Sequence, residues 1–324
     1  MKTSHICFTF AVLLGNALTA SAQSYPTHPI ALVVPFSAGG PTDIIGRIMA
    51  ERMGRSLGQT IVVEDTTGAG GSIGVGRVVR AAPDGYTLSI GHNGTHVING
   101  AIYPLQYDLL KDLEPVAMIT TNATFLVSKT AVPARDLKEL IAWMKLNKDK
   151  VSIGTSGPGA PAHVSAVYFK QLTNTQAQII HYRGAAPAMQ DLIAGHIDLY
   201  FDQAVTAVPN IRAGKVKAYA VTAKTRVAAA PDIPTVDEAG LPGLYMAVWH
   251  GIWAPKATSK NIVSRLNSAV IEALADPAVR KRLGDLGQDI PLREQQSPEA
   301  LGAYQRAEVD KWWPLIKAAG IKAE

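Results

Sequence analysis

The sequence predicts an α/β protein of two domains, each built on a mostly parallel sheet with helices on both faces. Three observations carry this. The 324 residues exceed one ordinary domain and suit two. Apolar strand-like runs alternate with amphipathic helical runs along nearly the whole chain, the pattern of parallel sheets covered on both sides. Two strand–turn–helix units of similar chemistry recur, at residues 30–47 and 151–172.

Elements begin after residue 22. Lys2 gives a short positive start, residues 6–17 form an apolar core, and Ala20-Ser21-Ala22 is an A-x-A cleavage site. This pattern is a secretory signal peptide, too short to span a bilayer. The mature chain is expected to start at Gln23, outside the cytoplasm, and no later stretch reaches membrane length. The only cysteine, Cys7, lies in the signal, so disulfide and thiol chemistry are not expected. Net charge is +5, or +4 without Lys2. The basic residues are scattered, without the cluster that a nucleic-acid or headgroup surface needs.

Strands are expected at 30–36, 60–64, 87–91, 116–119, 125–128, 151–154, 178–181, 197–201, 217–221 and 248–254. Helices are expected at 42–57, 73–81, 137–146, 161–172, 187–194, 262–274, 277–286 and 298–319. Asp136 is an N-cap candidate, with Glu139 completing a capping box. Gly58 and Gly195 are stops, and Asp84-Gly85 is a turn. The five tryptophans read mostly as core. Trp249 is the best pocket candidate among them, and Trp312-Trp313 are expected to dock the last helix on the first domain.

The first strand–turn–helix unit is the most informative. The strand ends in Ser37-Ala38-Gly39-Gly40, and Pro41-Thr42-Asp43 opens a helix, proline being suited to the first helical position. Free backbone N–H groups and a positive helix end then face the strand mouth, a place for an anion. Asp43 either caps this helix or orders water and donors around the anion, and Arg47 stands one turn on to pair with it. The second unit ends its strand in Thr155-Ser156-Gly157 and, after Gly159-Ala160, opens a helix near Pro161. Set across a shared cleft, the two would clasp a ligand between helix N-termini. Arg183 follows another strand end, where it either forks onto a carboxylate or lies exposed.

Enzyme, cofactor and metal motifs fall short. Around Ser156 the chain misses G-x-S-x-G by one residue, and Gly68–Gly76 puts Ile73 where a dinucleotide fingerprint needs glycine. His92 and His96 are spaced for a metal on a helix, but glycines interrupt them and no third ligand accompanies them. A polar role at the pocket edge suits His92 and Asn93, which follow a strand end. No catalytic residue, cofactor or metal is expected; an exported hydrolase is the rival class, lacking a recognisable nucleophile and base.

The motifs together resemble a known family, the Bug proteins, periplasmic substrate-binding components of tripartite tricarboxylate transporters. The matching residues run from Pro29 to Trp312. They include Val34-Pro35-Phe36, Gly39 to Asp43 with Arg47, Gly68-Ala69-Gly70-Gly71, Asp84 to Leu88, Tyr107-Asp108, Gly154 to His163, Tyr182-Arg183-Gly184, Gly195 with Asp198, Phe201-Asp202, Pro234-Thr235, Trp249 with Gly251, and Glu308. The resemblance implies a two-domain periplasmic-binding-protein fold of the Venus-flytrap kind, joined by crossing hinge strands near 123–128 and 246–254. Domain 1 would comprise 23–125 and 246–324, and domain 2 would comprise 126–245. The implied function is capture of a small organic carboxylate and delivery to a membrane permease with large and small subunits; the alternative is a carboxylate sensor. A monomer is expected. Carried over, the first-domain grip is Ser37, Ala38, Gly39, Gly40, Thr42 and Asp43. The second-domain loop is Thr155, Ser156, Gly157, Gly159 and Ala160 with His163. Arg183, Gly184, Ala185 and Asp202 map to the far wall. Relatives often carry Pro where Ala38 stands and Gly-Gly where Ala185-Ala186 stands, which changes the shape of the far pocket.

Overall fold

The computed structural model describes residues 25–318 and 320–322; the expected signal peptide and Cys7 lie outside them. The elements in order are β1 (Ile30–Val34), α1 (Pro41–Leu57), β2 (Ile61–Asp65), α2 (Ser72–Val79), β3 (Thr87–His92), α3 (Asn99–Ile102) and β4 (Leu113–Lys129). There follow α4 (Leu137–Leu146), β5 (Ser152–Thr155), α5 (Pro161–Thr173), β6 (Gln178–His181), α6 (Ala185–Ala194), β7 (Leu199–Gln203), α7 (Ala204–Arg212) and β8 (Val216–Val221). The chain closes with β9 (Ala247–Pro255), α8 (Lys260–Ala275), α9 (Pro277–Asp285) and α10 (Pro298–Ala318).

The strands join in the order β2-β1-β3-β9-β4-β7-β5-β6, with β8 also paired to β4. The pairs β1–β2, β1–β3, β5–β6 and β5–β7 are parallel, and those made by β4 and β9 are antiparallel. The chain makes two lobes, and β4 runs through both. From Leu113 to Ala123 it pairs with β9; from Thr124 onward it pairs with β7 and β8. The two strands expected at 116–119 and 125–128 are therefore one. The stretch between them is strand rather than loop, with Thr120, Asn122 and Thr124 buried. Asn122 donates to Val248 O and to Gln288 Oε1, and Thr222 bonds both Thr124 and Met246 O.

Burial on both faces organises each lobe. In β1, Ile30, Leu32 and Val34 meet Ile45, Met49 and Met53 of α1 and Leu266 and Val270 of α8. Val33, pointing the other way, joins Val75 of α2, Trp249 and Trp253 of β9 and Leu301 of α10. In the second lobe Phe125, Val127, Phe169, Leu192 and Phe201 share one core. A smaller cluster crosses between the lobes, where Val164 of α5 meets Ile98 and, from α10 and the tail after it, Ile316 and Ile321.

Local signals mostly hold. Gly58 and Gly195 end their helices left-handed, at φ 69° and 87°. Asp136 accepts from Glu139 N at 2.8 Å, but the Glu139 carboxylate returns to Arg135 N instead of Asp136 N. Two helix readings change. Helix α6 starts at Ala185, two residues early, because Pro187 occupies its third position instead of its first. Helix α7 was not expected, since Val205, Thr206, Val208 and Pro209 disfavour it; burial of Ala204 to Val208 carries it.

Candidate functional site

Parallel strands expose the amides of their following helices at one edge, and here two such edges meet. In the first lobe Gly40 is the N-cap of α1 and offers no side chain. Its carbonyl takes Ile44 N at 3.0 Å, so the amides of Thr42 and Asp43 precede the first intrahelical bond. Asp43 is buried. It accepts from Gly39 N at 2.8 Å and meets Arg47 Nε at 2.7 Å, and Arg47 also reaches Asp65. This geometry braces the turn. Thr42 sits beneath, its hydroxyl 3.4 Å from His250 Nε2. Ala38 and Gly39 are exposed at the tip, whereas the Ser37 hydroxyl is buried without a hydrogen-bond partner.

In the second lobe the loop after β5 is tied by its own side chains. Gly157 N donates to Thr155 Oγ1 at 3.3 Å, and Gly159 N donates to His163 Nδ1 at 3.1 Å. Thr155 Oγ1 lies 2.6 Å from His181 Nδ1. Burial pushes the His163 pKa down to about 4, with His181 and Lys170 adding, so its ring is a neutral acceptor. Ala160 caps α5, and its carbonyl takes both His163 N and Val164 N. Ser156 lies beside the buried Tyr200 phenol and bonds it.

Helix α6 brings the lobes together. A methyl group on Gly40 would stand 3.9 Å from Ala185 Cβ and 3.9 Å from Ala186 N. A Cβ on Gly184 would strike Ser37 Oγ, so the close approach requires glycine there. Nearby, Tyr103 donates to Pro158 O at 2.9 Å from one lobe to the other, and a Cβ on Gly70 would come within 2.7 Å of that carbonyl. Asn99 Nδ2 holds Gly70 O at 2.9 Å. Tyr103 and Asn99 were not singled out from sequence, because each bond spans a distance in chain that no local pattern records.

The electrostatics follow. The N-terminal ends of α1 and α6 approach so closely that a methyl group added to Gly40 would fill the space between them, and helix N-termini of this kind favour an anion. Arg183 does not fork inward. It is exposed on the rim of a cleft of about 620 Å³, with Phe36, Gly70, Ser156 and Tyr182. His92 is buried, stacked on Phe36 at 4.9 Å, and accepts from Gly94 N; burial pushes its pKa down to about 3. Asn93 donates to Ala247 O at 3.1 Å, leaving its Oδ1 buried and unpaired. Asp202, at the carboxyl end of β7, accepts from Thr206 Oγ1 at 2.6 Å through Oδ2, and its Oδ1 is also buried and unpaired. Burial raises its pKa to about 7. Among the described residues, no three of His, Cys, Asp and Glu stand as metal ligands. The pocket role expected for Trp249 is corrected. It is 1 % exposed, packs on Trp253 and Tyr304, and donates to Glu308 at 3.2 Å. Trp313 docks α10 as expected, through Val97 O.

A family model described as the tripartite tricarboxylate transporter family receptor matches residues 45–321. The chain belongs to this family. Solved structures agree with this receptor over nearly its whole length. The periplasmic binding protein BugD is 40% identical with a TM-score of 0.89, covering 92% of this chain and 100% of its own. MatC of Rhodopseudomonas palustris, solved with bound malate, is 39% identical at a TM-score of 0.87, covering 90% and 100%. A second R. palustris protein, solved with adipate, is 31% identical at 0.87, covering 92% and 99%. These neighbours are binding proteins, and their two-domain periplasmic-binding fold is the fold of this receptor. No helix among the described residues is long and apolar enough to cross a membrane.

Proposed function

We propose that this receptor captures a small organic dicarboxylate between its lobes in the periplasm and presents it to a membrane permease. The observation that supports this is the close approach of two helix N-termini, α1 at Gly40 and α6 at Ala185–Ala186, from the two lobes. Backbone amides and helix dipoles hold an anion without a cationic side chain, since fixed donors replace its water. The ligand-facing set is Ser37, Gly40 and Thr42 from one lobe and Ser156, Gly157, Ala160, Gly184, Ala185 and Asp202 from the other. Asp43 and His163 act behind them, fixing Gly39 N and Gly159 N. Malate in MatC and adipate in the second R. palustris structure support a dicarboxylate of about this size as the ligand class. The domain boundaries 23–125 with 246–324, and 126–245, fit the change of partners along β4, and cleavage after Ala22 fits export. The test is native mass spectrometry of freshly purified protein for a retained acid, followed by thermal shift with malate, adipate and longer diacids. A shift without turnover supports binding. Turnover, or no response to any carboxylate, overturns it.

A further inference from the structure

Asp202 is placed to sense the second charge of a dicarboxylate. It sits at the carboxyl edge of the second-lobe sheet, where β5 and β7 run parallel with Gly154 opposite Tyr200, so the loop residue Ser156 comes level with it. Its side chain is 1 % exposed. Oδ2 is taken by Thr206, and Oδ1 has no hydrogen-bond partner.

Among the described residues, the strands and helices packed around it hold their cations in bonds elsewhere, and the nearby Arg183, on the loop after β6, is exposed at the cleft rim. On its own strand the titratable neighbour is Tyr200, held neutral by burial. Strand β4 opposes it with Phe125, and the one lysine of β4, Lys129, is paired with Asp198 at 2.7 Å. Strand β5 carries no titratable group. On α5, His163 is neutral and Lys170 bonds Ala177 O. On α6, Asp191 bonds Tyr182 and His196. Helix α7 carries no charge before Arg212, which holds Ala229 O, and α1, which packs against α7, carries Asp43 and Arg47 already joined.

A dianion enclosed beside an ionised Asp202 would put three negative charges in one desolvated space, with helix dipoles and the solvent-screened Arg183 at the rim against them, and like charges at such range force one group to neutralise. We propose that Asp202 takes up one proton from solvent when a dicarboxylate is enclosed, and that its protonated Oδ1 then donates to the carboxylate distal to the α1 turn. This rests on the carboxylate reading above. Its basis is the closed, cation-poor setting and the unpaired oxygen; burial, which lifts the free group to about pH 7, acts in the same direction.

The experiment is isothermal titration calorimetry of the full mature chain with L-malate and with adipate from pH 6 to 9, in buffers of different ionisation heat. The expected result is uptake approaching one proton per ligand near pH 8, with Kd rising up to about tenfold per pH unit above pH 7. Asp202→Asn supplies a permanent amide donor in place of the acid proton. Its profile should be flat, and it should bind more tightly than wild type at pH 9. If wild type binds with a Kd independent of pH and no proton uptake, the proposal is overturned, and Asp202 then keeps one protonation state with and without ligand. If neither acid binds at pH 6, nor any other in the thermal-shift panel, it is the carboxylate reading that fails.

Discussion

Replacing Tyr103 by Phe removes one hydroxyl from the contact between the lobes and leaves the ring in place. The phenol donates to Pro158 O at 2.9 Å, and burial lifts its pKa to about 12, so it remains a donor through the working pH range. The ring keeps its position over Gly159, where an added Cβ would stand 3.6 Å from Cε2. A net hydrogen bond of this kind contributes about 1 kcal/mol, which is about fivefold in an equilibrium where 1.4 kcal/mol is tenfold. The two atoms belong to different lobes, so the bond exists only when the lobes meet. Its loss should therefore fall on closure. Kd for a bound dicarboxylate is expected to rise about fivefold by calorimetry, while the Tm of ligand-free protein moves by less than about 1 °C. A free Tm lower by several degrees with Kd unchanged would refute the reasoning, because the bond would then belong to a permanently joined interface.

Three further outcomes are expected. Asp43→Ala releases both Gly39 N and Arg47; with charge-assisted bonds contributing about 1.5–3 kcal/mol, Kd should rise at least about tenfold with the circular dichroism spectrum retained, and an unchanged Kd would leave Asp43 a helix brace only. Glu308→Ala strands the indole N–H groups of Trp249 and Trp312, which it accepts at 3.2 and 3.0 Å; a loss of about 2–4 kcal/mol is expected by denaturant titration, and a change below about 0.5 kcal/mol would show that water replaces it. Acid should destabilise the fold between about pH 6.5 and 4. His92, His96, His163 and His250 all have pKa values lowered by burial, so the unfolded chain binds more protons there. Their stabilisation is complete above pH 6.5 and is lost as pH falls, at up to about 1.4 kcal/mol per pH unit for each. Asp202, raised instead, works in the opposite sense across the same window. A flat stability profile from pH 7 to 5 would contradict the burial of these rings.

What could be read in the chain was what is decided within one turn of it. The turn from Ser37 into the helix at Pro41, the caps at Gly58, Asp136 and Gly195, and the turn at Asp84-Gly85 each depend on neighbours in sequence, and each is present. Three features were not legible. Thr120 to Thr124 reads as a break between strands because polar residues usually face water, yet Asn122 and Thr124 are buried where β4 passes between the lobes, with partners Thr222 and Gln288 far along the chain. Helix α7 forms against its own propensity because burial outweighs Pro209. Trp249 is the best pocket candidate among the tryptophans from its place before His250-Gly251 at a chain return, and only the acceptor at Glu308 reveals it as core.

The continuity of β4 has a mechanical consequence. A 17-residue strand laddered to β9 on one side of its midpoint and to β7 and β8 on the other is nearly inextensible. The lobes cannot slide apart along it; they can only turn about it, as about a torsion bar. Labels placed on either side of Ala123 would then keep their spacing through the whole cycle, while a pair at the jaw, near Ser37 and Gly184, would report nearly all of the motion. In the proposed capture cycle, the torsional stiffness of that strand opposes opening of the jaw.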